Sequence, residues 1–423
     1  MEDNIIRKAG QLLTPATVFH TDIVVKKAEG IYVESIDGRR YMDFSSGLAT
    51  TNIGHRPPRV IDAVKKQLDE LIHSGCIFRY NSEVELAEML KDITPGNLDM
   101  FFFSNSGAEA VDGAIKLARY ITKRQGIIAY TGAFHGRTMG AVSLSSSTAK
   151  HRYNYHPLLP SIFRAPYPYC YRCFLGKKRE TCSLDCFEYL KRILRHEICP
   201  DEVAAVIFEP VLGEGGYVVP PGEYIKELRE LCTNNSILLI ADEVQTGFGR
   251  TGEWFACTHF DITPDIMTVG KGIASGLPLS AVISTVDIMS KWNPGAHGTT
   301  FGGNPLSCAA AIETIKTIIS EDLLNNASRI GIYALQRLKE LQASFPVIGD
   351  VRGIGLMIGI ELVKNDGSPD REGLKRILKR CEDMGLILIE CGIDKNIIRF
   401  IPPLITKDVE LKKAIDIFKE ALV

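Results

Sequence analysis

Leu238-Leu239-Ile240-Ala241-Asp242-Glu243-Val244-Gln245-Thr246-Gly247-Phe248-Gly249-Arg250-Thr251-Gly252 is an apolar run that ends in two carboxylates and then in glycines. A second run, Pro264-Asp265-Ile266-Met267-Thr268-Val269-Gly270-Lys271-Gly272, sets a lysine behind another short apolar segment. A brief, continuous apolar run bounded by turn formers reads as a strand buried on both faces. Outward from these two, runs of the same kind lie at 100–103, 126–130, 203–209, 237–242, 266–269 and 280–284, separated by helical or glycine-rich stretches. Buried strands alternating with helices predict an α/β fold, with a mostly parallel central sheet covered by helices.

The ends of the chain have a different texture. Residues 31–44 alternate apolar with polar about Asp37-Gly38, which predicts a hairpin. Amphipathic helices are expected at 58–71 and 83–93, a strong helix at 110–122, and a long alanine-rich one from Asn304-Pro305 onward. The last hundred residues predict a strand at 356–363, a helix at 371–384 and a closing strand and helix. We expect residues 61–317 to form a large cofactor-binding domain. Residues 1–60 and 318–423 are expected to build one smaller α+β domain from both chain ends.

A net charge of −2 without any basic block predicts no nucleic acid and no anionic lipid surface as partner. No apolar run approaches the roughly 18 residues of a membrane span. The opening Met1-Glu2-Asp3-Asn4-Ile5-Ile6-Arg7-Lys8 lacks a signal peptide's apolar core, so a cytoplasmic protein is expected. Four of the eleven cysteines cluster as Cys170, Cys173, Cys182 and Cys186, in C-x2-C and C-x3-C pairs within a surface insertion. The interval between pairs is shorter than usual for zinc, so no metal is expected; zinc, disulfides or free thiols each fit the spacing.

Asp242 and Lys271, each delivered by the end of a buried strand, suit pyridoxal phosphate chemistry. The lysine bonds to the cofactor's aldehyde and the carboxylate keeps the pyridine nitrogen protonated. Taken singly, each residue reads as well as an ordinary buried Asp or surface Lys. Ser104-Asn105-Ser106-Gly107-Ala108-Glu109 opens a helix after a strand, where small residues and the helix N-terminus can hold a phosphate, or simply a capping box. Phe134 can stack on a planar ring and Arg137 can meet a carboxylate, although a core Phe and a surface ion pair fit equally well. Glu209 and Glu214 leave a buried strand on a glycine loop, at the strand end where α/β sheets bind ligands. Gly247-Phe248-Gly249-Arg250-Thr251-Gly252 satisfies a dinucleotide fingerprint, but no helical period follows it. Gly270-Lys271 fails as a P-loop, because Asp265 and Gly272 stand where that motif needs Gly and Ser or Thr.

Taken together these motifs resemble the class III (ω-amino acid) aminotransferases of pyridoxal phosphate fold type I, especially the 4-aminobutyrate, ornithine and acetylornithine enzymes. The likeness runs from about Gly30 to Leu404 and is densest from Ala241 to Ile283. It implies Ser106 and Gly107 as phosphate ligands, Phe134 as the ring-stacking aromatic and Asp242 as the ring-nitrogen partner. Gln245 is implied beside the phenolic oxygen, and Lys271 as the covalent and catalytic lysine. Thr300 matches a threonine that reaches the phosphate of a neighbouring subunit, implying a homodimer with shared sites. On the substrate side, Arg137 matches a distal-carboxylate ligand, Arg399 the α-carboxylate arginine, Glu214 its mask and Leu48 a pocket wall; Glu209 is placed there by its loop. The implied reaction moves an amino group from an ω-amino acid to 2-oxoglutarate in two half-reactions. The insertion near 167–186 also resembles a subset that includes amino acid racemases of the same fold, which leaves a racemase or epimerase as the alternative.

Overall fold

A computed structural model describes residues 2–423. Three N-terminal strands, β1 (Val25–Glu29), β2 (Tyr32–Ser35) and β3 (Arg40–Asp43), form a meander. The β2–β3 hairpin turns at Asp37-Gly38, where Gly38 takes φ +89°, a conformation costly for any residue with a Cβ. The helices Pro58–Glu70 and Asn81–Ile93 lead into the central sheet.

That sheet has seven strands: β4 (Met100–Ser104), β5 (Gly126–Tyr130), β6 (Ile162–Ala165), β7 (Val203–Phe208), β8 (Leu238–Asp242), β9 (Ile266–Val269) and β10 (Ser280–Ser284). Their order is β4-β10-β9-β8-β7-β5-β6, and β10 runs antiparallel to both its neighbours while every other pairing is parallel. Because β4 opposes β10 and β10 opposes β9, β4 is parallel to the rest, and six strands end on one side. Residues of β5, β7, β9 and β10 are buried throughout, which is why they read as unbroken apolar runs. The edge strand β6 escapes that signature, since Ile162-Phe163-Arg164-Ala165 pairs on one side only and is partly exposed.

The helix Gly107–Thr122 starts earlier than its apolar period, because the Ser106 side chain caps it by accepting from the Glu109 N–H at 3.3 Å. Asn304 likewise caps the helix Pro305–Ser320, accepting from Ser307 N–H at 3.0 Å, and Pro305 occupies the first turn where no donor is lost. That helix packs on Pro58–Glu70 and Asn81–Ile93. Next come the long helix Leu323–Ser344 and the strand β11 (Ile348–Ile354), neither of which the patterning anticipated. The helix buries Leu323, Ala327, Ile330, Ala334, Leu338 and Leu341 at spacings of three and four, so its signal was present but unread.

The remaining strands are β12 (Met357–Leu362), β13 (Leu386–Ile387), β14 (Ile389–Cys391) and β15 (Ile397–Phe400), with helices Arg371–Asp383 and Asp408–Leu422. Strands β11-β12-β15-β14 form an antiparallel sheet. Strand β13 joins β3 in parallel, Leu386 opposite Met42, so residues from the two chain ends share one sheet. No helix among the described residues is long and apolar enough to cross a membrane.

The four clustered cysteines are free thiols, partly buried around one pocket with Tyr167, Tyr169, Phe174 and Pro221. Among the described residues no three metal-ligating side chains converge.

Candidate active site

Strand ends place the chemistry. Asp242 closes β8, Glu209 follows β7, Phe134 follows β5, Ser106 follows β4 and Lys271 follows β9, all on the side where the parallel strands terminate. Asp242 is buried and fully engaged: Oδ2 meets His135 Nδ1 at 2.6 Å, and Oδ1 accepts from Thr268 Oγ1 and Val244 N–H, both at 3.1 Å. Burial pulls the His135 imidazole down, but the Asp242 carboxylate outweighs it, and the ring's pKa ends above its ordinary value. His135 is a site residue the motifs did not single out. Its only signal was the position next to Phe134 at a buried strand end. Its Nε2 has no protein partner.

Lys271 takes φ +43°, in the left-handed region, at the head of a short turn Lys271–Ala274. Strained backbone of this kind costs about 1–3 kcal/mol and persists only where the surroundings hold it. Here a Cβ at Gly272 would strike the Asn52 side chain, which itself donates to Phe248 O at 3.0 Å and accepts from Arg250 at 2.8 Å. Burial pulls the lysine amine down to about 8, with Glu209 and Asp242 working against the drop.

Arg250 lies inside the would-be dinucleotide fingerprint and is wholly buried, donating to Leu356 O at 3.2 Å and Pro402 O at 2.5 Å. It ties the loop after β8 to the C-terminal sheet. The fingerprint glycines serve turns and close packing: Gly249 and Gly252 have φ +84° and +89°, with Leu404 and Ser328 pressed against them. A dinucleotide motif is excluded.

The Glu209 carboxylate accepts from Phe134 N–H at 2.9 Å and from Gly213 N–H at 2.8 Å, one through each oxygen. It thus holds the aromatic loop and the glycine loop together, and burial pushes its pKa up to about 7. Gln245 accepts from the buried Tyr217 hydroxyl at 2.6 Å. Tyr217, another residue the motifs missed, also faces the Arg399 guanidinium, 5.9 Å from its ring centroid.

Two arginines stand in different settings. Arg399, on β15, is only 6% exposed and pairs with Glu214, whose other oxygen meets Lys395 Nζ at 2.9 Å. Arg137 is exposed, donates to His151 Nε2 at 3.2 Å and lies 5.9 Å from the Phe134 ring centroid. Burial, reinforced by the Arg137 charge, pushes His151 down to about 4, so it stays a neutral acceptor.

Leu48 is 47% exposed in a turn whose four residues, Ser46, Gly47, Leu48 and Ala49, all have positive φ between 47° and 65°. Asp43 anchors this turn by accepting from Ser45 N–H at 2.9 Å and Gly47 N–H at 3.3 Å, and the turn packs on Lys271–Ala274. Thr300 is exposed. Its neighbour Thr299 accepts from Asn105 Nδ2 at 3.4 Å, which brings that loop to the Ser106 helix start without placing Thr300 on the Asp242–Lys271 pair.

The arrangement fits pyridoxal phosphate. Gly107 leaves a cradle in which a Cβ would come within 2.6 Å of Val244, two residues past Asp242. Beside it stand exposed Ser106, a half-buried Phe134, a buried carboxylate and a lysine amine that is easily neutralised. Amine, anion cradle and carboxylate converge from separate strand ends.

Known proteins agree with this reading. The family described as aminotransferase class-III matches residues 14–422. A probable 4-aminobutyrate aminotransferase of Bacillus subtilis (strain 168) is 39% identical over 94% of this chain and 92% of its own. An alanine/serine racemase of Pyrococcus horikoshii is 40% identical over 95% of this chain and 85% of its own. The crystal structure of an amine transaminase from an uncultivated Pseudomonas species, in a pyridoxal phosphate-bound form, superposes with TM-score 0.89 at 31% identity, covering 97% of each chain.

Proposed function

From the premise that this chain belongs to the class III aminotransferases, enzymes that use pyridoxal phosphate, we propose that it transfers the amino group of an ω-amino acid to 2-oxoglutarate in two half-reactions. One observation carries the choice: one arginine, Arg399, is buried and covered by the carboxylate of Glu214, while a second, Arg137, lies open against the Phe134 ring. One pocket has to accept two substrates. An ω-amino acid presents a single distal carboxylate, whereas 2-oxoglutarate presents an α-carboxylate as well. A buried guanidinium left bare is costly, so a site that alternates needs a movable counter-charge.

The cofactor, when bound, supplies the aldehyde that takes up the amino group and the ring that withdraws electrons from the reacting carbon. Ser106 and Gly107 would hold its phosphate, Phe134 one ring face, Asp242 the ring nitrogen and Gln245 the phenolic oxygen. His135 holds the Asp242 carboxylate through Oδ2. Lys271 would take the proton from the substrate's amino-bearing carbon and return it across the nitrogen to the carbon that carries the cofactor's aldehyde, a 1,3-shift; an amine near pKa 8 is suited to both roles near neutral pH. Glu209 keeps the Phe134 and Gly213 loops in register. Arg137 binds the distal carboxylate, with Leu48 as a wall. Thr300 completes the phosphate site of a second copy, which makes the working unit a homodimer.

A racemase is the second reading, supported by the likeness to the Pyrococcus alanine/serine racemase. The two separate in one experiment. The pyridoxal form, mixed with one amino acid and no oxo acid, is expected to react once per site with 4-aminobutyrate or ornithine, stop, and restart when 2-oxoglutarate is added. Many turnovers to the D-enantiomer of an α-amino acid without any oxo acid would replace the first reading with the second.

A further inference from the structure

Lys395 occupies a backbone conformation that L side chains rarely adopt, φ +56°, in the turn between β14 and β15. Glycine or asparagine takes such a position with less strain. Its side chain reaches the site: Nζ lies 2.9 Å from Glu214 Oε1 while Glu214 Oε2 pairs with Arg399. The same turn also holds the main chain of the masking residue, since Gly392 N–H donates to Glu214 O at 2.9 Å and Lys395 N–H donates to Gly392 O at 3.1 Å. The Lys395 charge is felt on the Arg137 side too, where it helps to depress His151. One ammonium thus borders both arginine sites.

We propose that Lys395 is a positioning residue that sets the balance between the two substrate classes, by holding Glu214 when an α-carboxylate takes Arg399. The inference rests on the two-substrate reading above. In the masked arrangement Glu214 has two cations, and Arg399 alone would keep it in place. Once an α-carboxylate occupies Arg399, Lys395 is the remaining partner. Without it a partly buried carboxylate is stranded next to an incoming anion, and such stranding is costly. Lys395 therefore favours the unmasked arrangement far more than the masked one.

The test uses Lys395→Gly and Lys395→Asn, both compatible with the positive φ, and Lys395→Arg as the rescue. Single-turnover half-reactions are followed in the holoenzyme, the pyridoxal form with 4-aminobutyrate and the pyridoxamine form with 2-oxoglutarate. The ratio of kcat/KM for 2-oxoglutarate to that for 4-aminobutyrate is expected to fall about tenfold in the Gly and Asn variants, chiefly through KM, as for loss of one partly exposed charge-assisted hydrogen bond. The Arg variant is expected to bring the ratio back. A ratio within twofold of wild type in both neutral variants, with wild type active in both half-reactions, overturns the role of Lys395 alone. A wild type that fails with 4-aminobutyrate or with 2-oxoglutarate overturns the two-substrate reading together with it.

Discussion

Replacing Glu214 by Gln keeps the shape of the Arg399 mask and removes its charge. Burial pulls the Arg399 guanidinium down to about 10 from an ordinary 12.5, with the Glu209 carboxylate opposing the drop. A buried guanidinium deprived of its partner carries a penalty of about 3–5 kcal/mol. In wild type, Glu214 offsets it whenever the bound substrate lacks an α-carboxylate. A glutamine oxygen still accepts a hydrogen bond, so part of the compensation survives, and we expect kcat/KM with 4-aminobutyrate to fall about 10- to 100-fold. The 2-oxoglutarate half-reaction should change in the opposite direction or hardly at all, because its α-carboxylate brings the missing charge and has no anion to displace. Stopped-flow absorbance of each half-reaction, with a single substrate, measures the two effects separately. Equal losses in both directions would refute the masking argument and reduce Glu214 to a structural partner of β15.

Lys271→Ala is expected to abolish turnover and the lysine-bound cofactor absorbance while leaving the circular dichroism spectrum unchanged; wild-type turnover in that variant would remove the lysine from its role. In cofactor-free protein, Lys271→Met should be more stable than wild type by up to about 3 kcal/mol below pH 8, where the folded chain bears a buried charged amine. The advantage should vanish as pH rises from about 8 toward 10.5, since only the unfolded chain is then protonated; a urea-melt difference flat across that range would contradict it. Asp242→Asn should retain the cofactor but slow exchange of the substrate's reacting C–H by about 10²-fold or more, the size that proton-handling terms reach, and an undiminished exchange rate by NMR would assign the residue another task. Glu209→Gln turns a donor toward Phe134 N–H or Gly213 N–H and should cost about 1–3 kcal/mol in chemical denaturation, which an unchanged midpoint would disprove. Thiol titration of denatured, unreduced protein should count all eleven cysteines; a shortfall of two or four would reveal disulfides in the 170–186 insertion.

Much of this molecule was legible along the chain. Strands buried on both faces must be apolar throughout, so β5, β7, β8, β9 and β10 announced themselves, and with them the strand ends that carry Asp242, Lys271 and Glu209; one edge strand, β4, read the same way because Met100-Phe101-Phe102-Phe103 is apolar although partly exposed. Edge strand β6 did not, because one-sided pairing tolerates Arg164. Residue type and spacing also marked Ser106-Gly107, Phe134 and Glu214 as chemically able, whereas Arg399 was singled out only by the family resemblance. What the sequence could not express is convergence. His135 meets Asp242 across 107 residues of chain, Glu214 meets Arg399 across 185, and Arg250 reaches Pro402 across 152. Nor does any local pattern disclose that Lys271, Leu48 and Lys395 stand at positive φ, since lysine and leucine are poor predictors of that region. Composition and period report which side chains avoid water over a few turns or strands. Which charges are buried together, and therefore which pKa values move and which arginine is masked, depends on distances that only the packed sheet ends and the β14–β15 turn determine.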